Sequence, residues 1–260
     1  MIQASHKTRL FTAAVGLTVV GAALLTGGPA LFALVLAVAL AGLWEFFALA
    51  PGTGGLARGL GLGFGAALLS LAWYFGPMGA LAVLLAAFWA EEIIRLALPQ
   101  ADLGPRWAIM AGLAYVPATL QFLLQFGPTG TAVILAAVMA TDTGAYYSGH
   151  LIGGPKVWPS VSPKKTWAGC AGGLGSALLV CLVIGHFTGQ ASLGSWLGLG
   201  ACLSLGAQMG DFLESSFKRT AGIKDSGAIL PGHGGILDRI DGLLPAILIY
   251  ALAKTLAPFP

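Results

Sequence analysis

Charge is what this sequence has least of. Only 9% of its 260 residues are Asp, Glu, Lys or Arg, against roughly a quarter in an ordinary soluble domain. With 57% hydrophobic residues and a mean hydropathy of +0.86, the chain has too little polar surface to wet a water-soluble globule, and an integral membrane protein follows. Cysteine is also sparse. Cys170, Cys181 and Cys202 lie in apolar runs without CxxC spacing or a neighbouring histidine, which sets aside a disulfide framework and a thiolate metal site and leaves small buried hydrophobes. A net charge of +3 is too small to argue for nucleic acid, and none is expected as a partner. No stretch fits the phosphate-binding loop G-x-x-x-x-G-K-[ST]. The run GGLARGLGLGFG carries Ala66 where a dinucleotide fingerprint needs its third glycine, and it follows no strand. Close helix packing through small residues is the reading it supports. SPKK and SSFK fit the S-x-x-K of serine acyl enzymes, but S-D-N is missing and KTW replaces K-T-G.

Long apolar runs, in contrast, are abundant. A spanning helix needs about 20 mostly apolar residues, because its backbone must satisfy itself in lipid. Glycine, proline and charge punctuation predicts an all-α, polytopic fold of about nine transmembrane helices, near 10–27, 30–50, 59–75, 77–98, 105–126, 128–148, 167–188, 191–212 and 240–257. Lys7 and Arg9 precede the first run and LTGGPA follows it, but the many later spans favour a retained helix over a cleaved leader. With the N-terminus in the cytoplasm, nine spans place twelve of the thirteen Lys and Arg residues on the cytoplasmic face and only Lys254 on the other. The long polar segments 149–166 and 213–239 share that face. The expectation is a single membrane domain over 1–260, integral to the cell (inner) membrane, with its chemistry facing the cytosol and carried by 141–241.

The scarce charges are not evenly spread. SSFKRTAGIKDSGAILPGHGGILDRID, residues 215–241, holds seven of the 23. If the eighth helix continues through GDFLESSFK, Asp211, Glu214, Ser215 and Lys218 share one face, and an ionisable group at membrane depth needs a partner. A salt bridge from Asp211 to Lys218 would supply one. A divalent cation would supply another, since magnesium is held by one or two carboxylates with water and substrate phosphates. Asp211 with Asp238 and Asp241 of LDRID could form a small acidic ring, with Asp211 and Asp238 as the metal ligands. Lys218, Arg219, Lys224, Arg239, Lys164 and Lys165 surround them, and acids interleaved with bases suit a cation together with polyphosphate. In LPGHGG, Gly234 and Gly235 permit close backbone approach to an anion, and His233 could bind phosphate or move a proton. Asp142, in TDTGAYYSGHLIGG at the cytoplasmic end of the sixth span, reads nearly as well as a turn-forming or helix-capping residue as it does as a functional one. Glu91 and Glu92 lie within helical reach of Arg95 and predict a structural ion pair; Glu45 receives no role.

These residues resemble the phosphatidate cytidylyltransferases, or CDP-diacylglycerol synthases. That family's pattern runs S-x-φ-K-R, four residues, then K-D-x-G-x-x-L-P-x-H-G-G-φ-x-D-R-φ-D, where φ is apolar. It is met at Ser215, Phe217, Lys218, Arg219, Lys224, Asp225, Gly227, Leu230, Pro231, His233, Gly234, Gly235, Ile236, Asp238, Arg239, Ile240 and Asp241. GDFLES resembles its G-D-x-x-E-S. Two blocks depart from the pattern: His150 stands where Arg or Lys is usual, and Ala168 where Glu is frequent. The resemblance covers about a fifth of the chain.

It implies the reaction CTP + phosphatidate → CDP-diacylglycerol + pyrophosphate, a magnesium requirement with room for a second cation, and a nine-span homodimer. It also implies metal positions at Asp211 and Asp238. A CTP-dependent lipid-alcohol kinase is the nearest alternative and would release CDP instead. A transporter would call for inverted repeats or paired broken helices, and neither is visible in the sequence.

Overall fold

The computed structural model describes residues 6–188 and 191–260; the side chains of Lys7 and Arg9, and Gly189 and Gln190 of the expected far-side loop, lie outside the described set. The helices are α1 (His6–Thr26), α2 (Gly28–Leu49), α3 (Gly55–Phe75), α4 (Pro77–Ala97), α5 (Ala108–Tyr115), α6 (Pro117–Leu120) with a 3₁₀ turn at Gln121–Leu124, α7 (Pro128–Leu151), α8 (Trp167–Thr188), α9 (Leu193–Thr220), α10 (Leu237–Ile240) and α11 (Leu243–Leu256). Strands β1 (Lys156–Trp158) and β2 (Ser162–Thr166) form one antiparallel hairpin. Among the described residues the protein is thus all-α but for this hairpin, which the sequence had presented only as a polar connection.

Every expected span overlaps helix, and two of them are interrupted, 240–257 at the Asp241–Gly242 turn ahead of α11 and 105–126 in its middle. In 105–126 the chain breaks at Val116 (φ −100°, ψ −76°), ahead of Pro117. Proline lacks an N–H and crowds the preceding turn, so the helix ends and restarts. Among the described residues three helices, α2, α3 and α8, are long and apolar enough to cross a membrane on length and composition alone. Large apolar side chains such as Leu10, Phe75, Phe187 and Leu256 are exposed, as suits a protein solvated by acyl chains.

The chain divides into two compact units, 1–125 with 221–239, and 126–220 with 240–260. In the first, α3 and α4 form a tight antiparallel pair. Gly76, at φ +62°, donates its N–H to Ala72 O at 2.8 Å and Pro77 opens α4, the glycine-then-proline punctuation favoured at helix ends. The glycine-rich run beside it packs as expected. Gly61 and Gly65 lie where an added Cβ would collide with Phe47 and Leu43 of α2, so absent side chains on α3 make room for large ones on α2. The Glu91–Arg95 ion pair forms at 2.5 Å, but Glu92 reaches Arg106 instead, at 2.7 Å.

In the second unit α7 and α8 meet through small residues. A Cβ on Gly144 would strike Ser176 and the Gly172 carbonyl, and one on Gly172 would strike Ser148. Such contacts let backbones approach in lipid, where apolar burial between helices contributes little. Of the three cysteines only Cys181 is fully buried; Cys170 is half-buried and Cys202 exposed, and all are free thiols.

Candidate active site

The second unit assembles the acids and lysines of α9 and the hairpin. Helix α9 continues to Thr220, so the expected face exists. Asp211 pairs with Lys165 of β2, Nζ to Oδ2 at 2.5 Å, rather than with Lys218, and the Ser215 hydroxyl points at Asp211 Oδ1 from 3.5 Å. Lys218 forms its ion pair with Glu214, one turn earlier and fully buried. The reason is geometric: i and i+4 stack on a helix, whereas i and i+7 lie two turns apart. Lys165 also sits 4.4 Å above the Phe212 ring, and Trp158 of β1 packs on that ring at 6.2 Å. Arg219 Nε donates to Val161 O at 3.4 Å. The hairpin is therefore held on α9 from both sides, which fixes Lys165; Lys164, next along the strand, is exposed.

Asp241 occupies the turn just before α11. Gly210 packs where any Cβ would meet the Asp241 backbone carbonyl, so the glycine of GDFLES brings the turn against α9 one residue before Asp211. The Gly242 N–H donates to Asp241 Oδ1 at 2.7 Å. The carboxyl of Asp241 lies within electrostatic reach of Asp211, Asp142 and Lys218. Two neighbouring carboxylates are a donor set that a cation relieves. Asp142 itself is exposed in the interior of α7, so the turn-forming and capping alternatives fall away.

The returning segment of the first unit is a compact loop organised by carboxylates. Asp238 Oδ2 accepts N–H bonds from Ser226 at 3.0 Å and Gly235 at 2.8 Å. Leu230 and Gly234 close a short bridge, Leu230 N to Gly234 O at 2.9 Å, with Gly234 at φ +81°. A Cβ there would be strained, and it would press on the Asp238 carboxyl. Arg239 Nε donates to His233 O at 3.0 Å. His233 keeps its Nδ1 buried with no hydrogen-bond partner among the described residues. Lys224, Asp225 and the body of Arg239 are exposed. Of the predicted residues, then, the second unit brings together Lys165, Asp211, Ser215 and Asp241, while the first gathers His233, Gly234, Gly235, Asp238 and Arg239.

Sequence reasoning missed Glu45. This α2 residue is 2% exposed and its carboxylate accepts bonds from the Ser226 hydroxyl (3.0 Å), the Ile236 N–H (3.1 Å) and the Leu237 N–H (2.7 Å). The only signal available was a lone acid in the apolar LWEFFAL, 181 positions from Ser226. Among the described residues no group of three or more His, Cys, Asp or Glu is spaced to hold a metal unaided. A cation here would draw on few protein ligands and on substrate oxygens, in magnesium's manner.

The model of the cytidylyltransferase family matches residues 7–256. The chain is 45% identical over 140 residues to a phosphatidate cytidylyltransferase of Staphylococcus aureus (strain COL), covering 52% of this chain and 54% of that protein. It is 46% identical to one of Staphylococcus saprophyticus over the same share, and 44% identical to one of Brucella suis biovar 1 over 129 residues, 49% of this chain and 47% of the other. The chain thus matches about half the length of these curated relatives.

Proposed function

Because the chain belongs to the cytidylyltransferase family, we propose that it is a CTP:phosphatidate cytidylyltransferase, forming CDP-diacylglycerol and pyrophosphate for phospholipid synthesis. The observation that carries this reading is the segment Ser215–Asp241, in which every fixed position of the pattern is met; the names of the relatives agree with it. In the reaction an ionised phosphatidate oxygen attacks the α-phosphorus of CTP in line, a new P–O bond forms, and the bond to the β-phosphate breaks. The acceptor is already an anion near neutral pH, so the difficulty is to bring two anions together rather than to remove a proton.

Asp211 and Asp238 are the carboxylates that the signature pattern proposes as magnesium ligands, and Asp241 lies beside Asp211 in the second unit. When bound, the ion would offset phosphate charge and polarise the reacting phosphoryl group. Lys165 stays on Asp211 and sets its orientation. Lys164, Arg219, Lys224 and Arg239 are exposed cations available to CTP and to the departing pyrophosphate. Lys218, in contrast, is engaged with the buried Glu214, which favours a supporting role. The charge bias of the loops supports an N-terminus and site segments on the cytoplasmic side of the cell membrane, where CTP is available, and a homodimer belongs to the same proposal.

Purified protein in detergent, given labelled CTP, phosphatidate and magnesium, should yield lipid-linked cytidine and equimolar pyrophosphate, both abolished by chelation. CDP release with phosphorylation of an added lipid alcohol would replace this reading with the kinase.

A further inference from the structure

We propose that Glu45 is a positioning residue: it reaches from α2 into the signature loop and sets the shape of 225–237, and through it the placement of Asp238 and Arg239, without touching substrate. This rests on the function proposed above only for its effect on turnover; the anchoring itself does not depend on it.

Five donors of the loop are met by two carboxylates. Asp238 takes the N–H groups of Ser226 and Gly235; Glu45 takes the Ser226 hydroxyl and the N–H groups of Ile236 and Leu237. Ser226 is thus held from both sides, its N–H by Asp238 and its hydroxyl by Glu45. Leaving such buried backbone donors unmet would cost about 1–3 kcal/mol each, so the loop has one well-satisfied conformation when Glu45 is present. Glu45 also accounts for two glycines of the pattern. A Cβ at Gly227 would run into the Glu45 side chain, whose Oε1, Cδ and Cγ are its three nearest atoms, and a Cβ at Gly235 would run into the Glu45 carboxyl as well as into Ser226. Neither glycine has a positive φ. Their lack of a side chain is therefore explained by the space Glu45 fills rather than by backbone strain. At 2% exposure with both oxygens engaged, Glu45 is placed to hold the loop rather than to meet a ligand.

The test is a double-mutant cycle with an exchange measurement. Glu45→Ala and Gly227→Ala should each lower kcat by about tenfold or more, as misplacement near reacting groups does, with KM for CTP changed less than kcat. In the Glu45→Ala background, Gly227→Ala should add almost nothing, because the carboxyl it strikes is gone. Glu45→Gln, which keeps an oxygen able to accept two of the three bonds, should retain more activity than Glu45→Ala. Hydrogen exchange in full-length protein should show faster exchange at Ser226, Ile236 and Leu237 in Glu45→Ala, and this readout stands whether or not the enzyme turns over CTP. Additive losses in the cycle, or unchanged exchange at those amides, would overturn the anchor. A wild type inactive with CTP and phosphatidate, but with exchange that responds as described, would overturn the function and leave the anchor standing.

Discussion

At the scale of single residues, the carboxylates divide by what their oxygens already do. Asp238 spends Oδ2 on two N–H groups, and an asparagine carbonyl in its place can accept the same two bonds. Asp238→Asn should therefore fold, eluting and melting like the wild type, while CTP turnover falls by about 10²-fold or more, a loss typical of removing a key electrostatic group. Wild-type turnover of this variant at ordinary magnesium would remove Asp238 from the site. Glu214 presents the opposite case. It is fully buried beside Lys218, and removing one member of a buried pair typically costs about 3–5 kcal/mol. Lys218→Met should lower the thermal midpoint in detergent markedly, and adding Glu214→Gln should recover much of that loss. The pattern of the signature made Lys218 look like a phosphate ligand, but the ion pair it forms could be seen only once α9 was known to run unbroken to Thr220.

At the scale of elements, Gly210 shows how a helix can be shaped for its neighbour. Alanine at this position would ordinarily strengthen the helix by about 1 kcal/mol. Here its Cβ would drive into the carbonyl of Asp241, so the substitution should leave α9 helical by circular dichroism yet reduce turnover by shifting the Asp241 turn. Unchanged kinetics for Gly210→Ala would mean that the turn has slack. The hairpin β1–β2 makes a related point. VWPSVSPKKT has proline and charge but little alternation, so strand periodicity is faint, and the hairpin is held by contacts from Trp158, Lys165 and Arg219 to α9 and its own turn. No local signal in the chain announces contacts of that kind.

At the scale of the whole molecule, the loops' basic bias makes an assertion about sidedness. In a background with Cys170, Cys181 and Cys202 replaced by alanine, a cysteine at the exposed positions 164 or 224 should react with a membrane-impermeant maleimide in inverted vesicles and be protected in right-side-out ones; the reverse pattern would invert the topology. What the sequence determined by itself was the all-α membrane class, the position of the helical segments and the identity of the charged cluster. These properties are additive along the chain: hydropathy summed over a window, proline and glycine at ends, and a motif read in order. The tertiary structure decided which charges meet. Asp211 found Lys165 rather than Lys218, Glu92 found Arg106 rather than Arg95, and Glu45 found a loop 181 residues away at Ser226. Ion pairs and hydrogen bonds depend on ångström distances between elements remote in sequence, and packing sets those distances while periodicity does not.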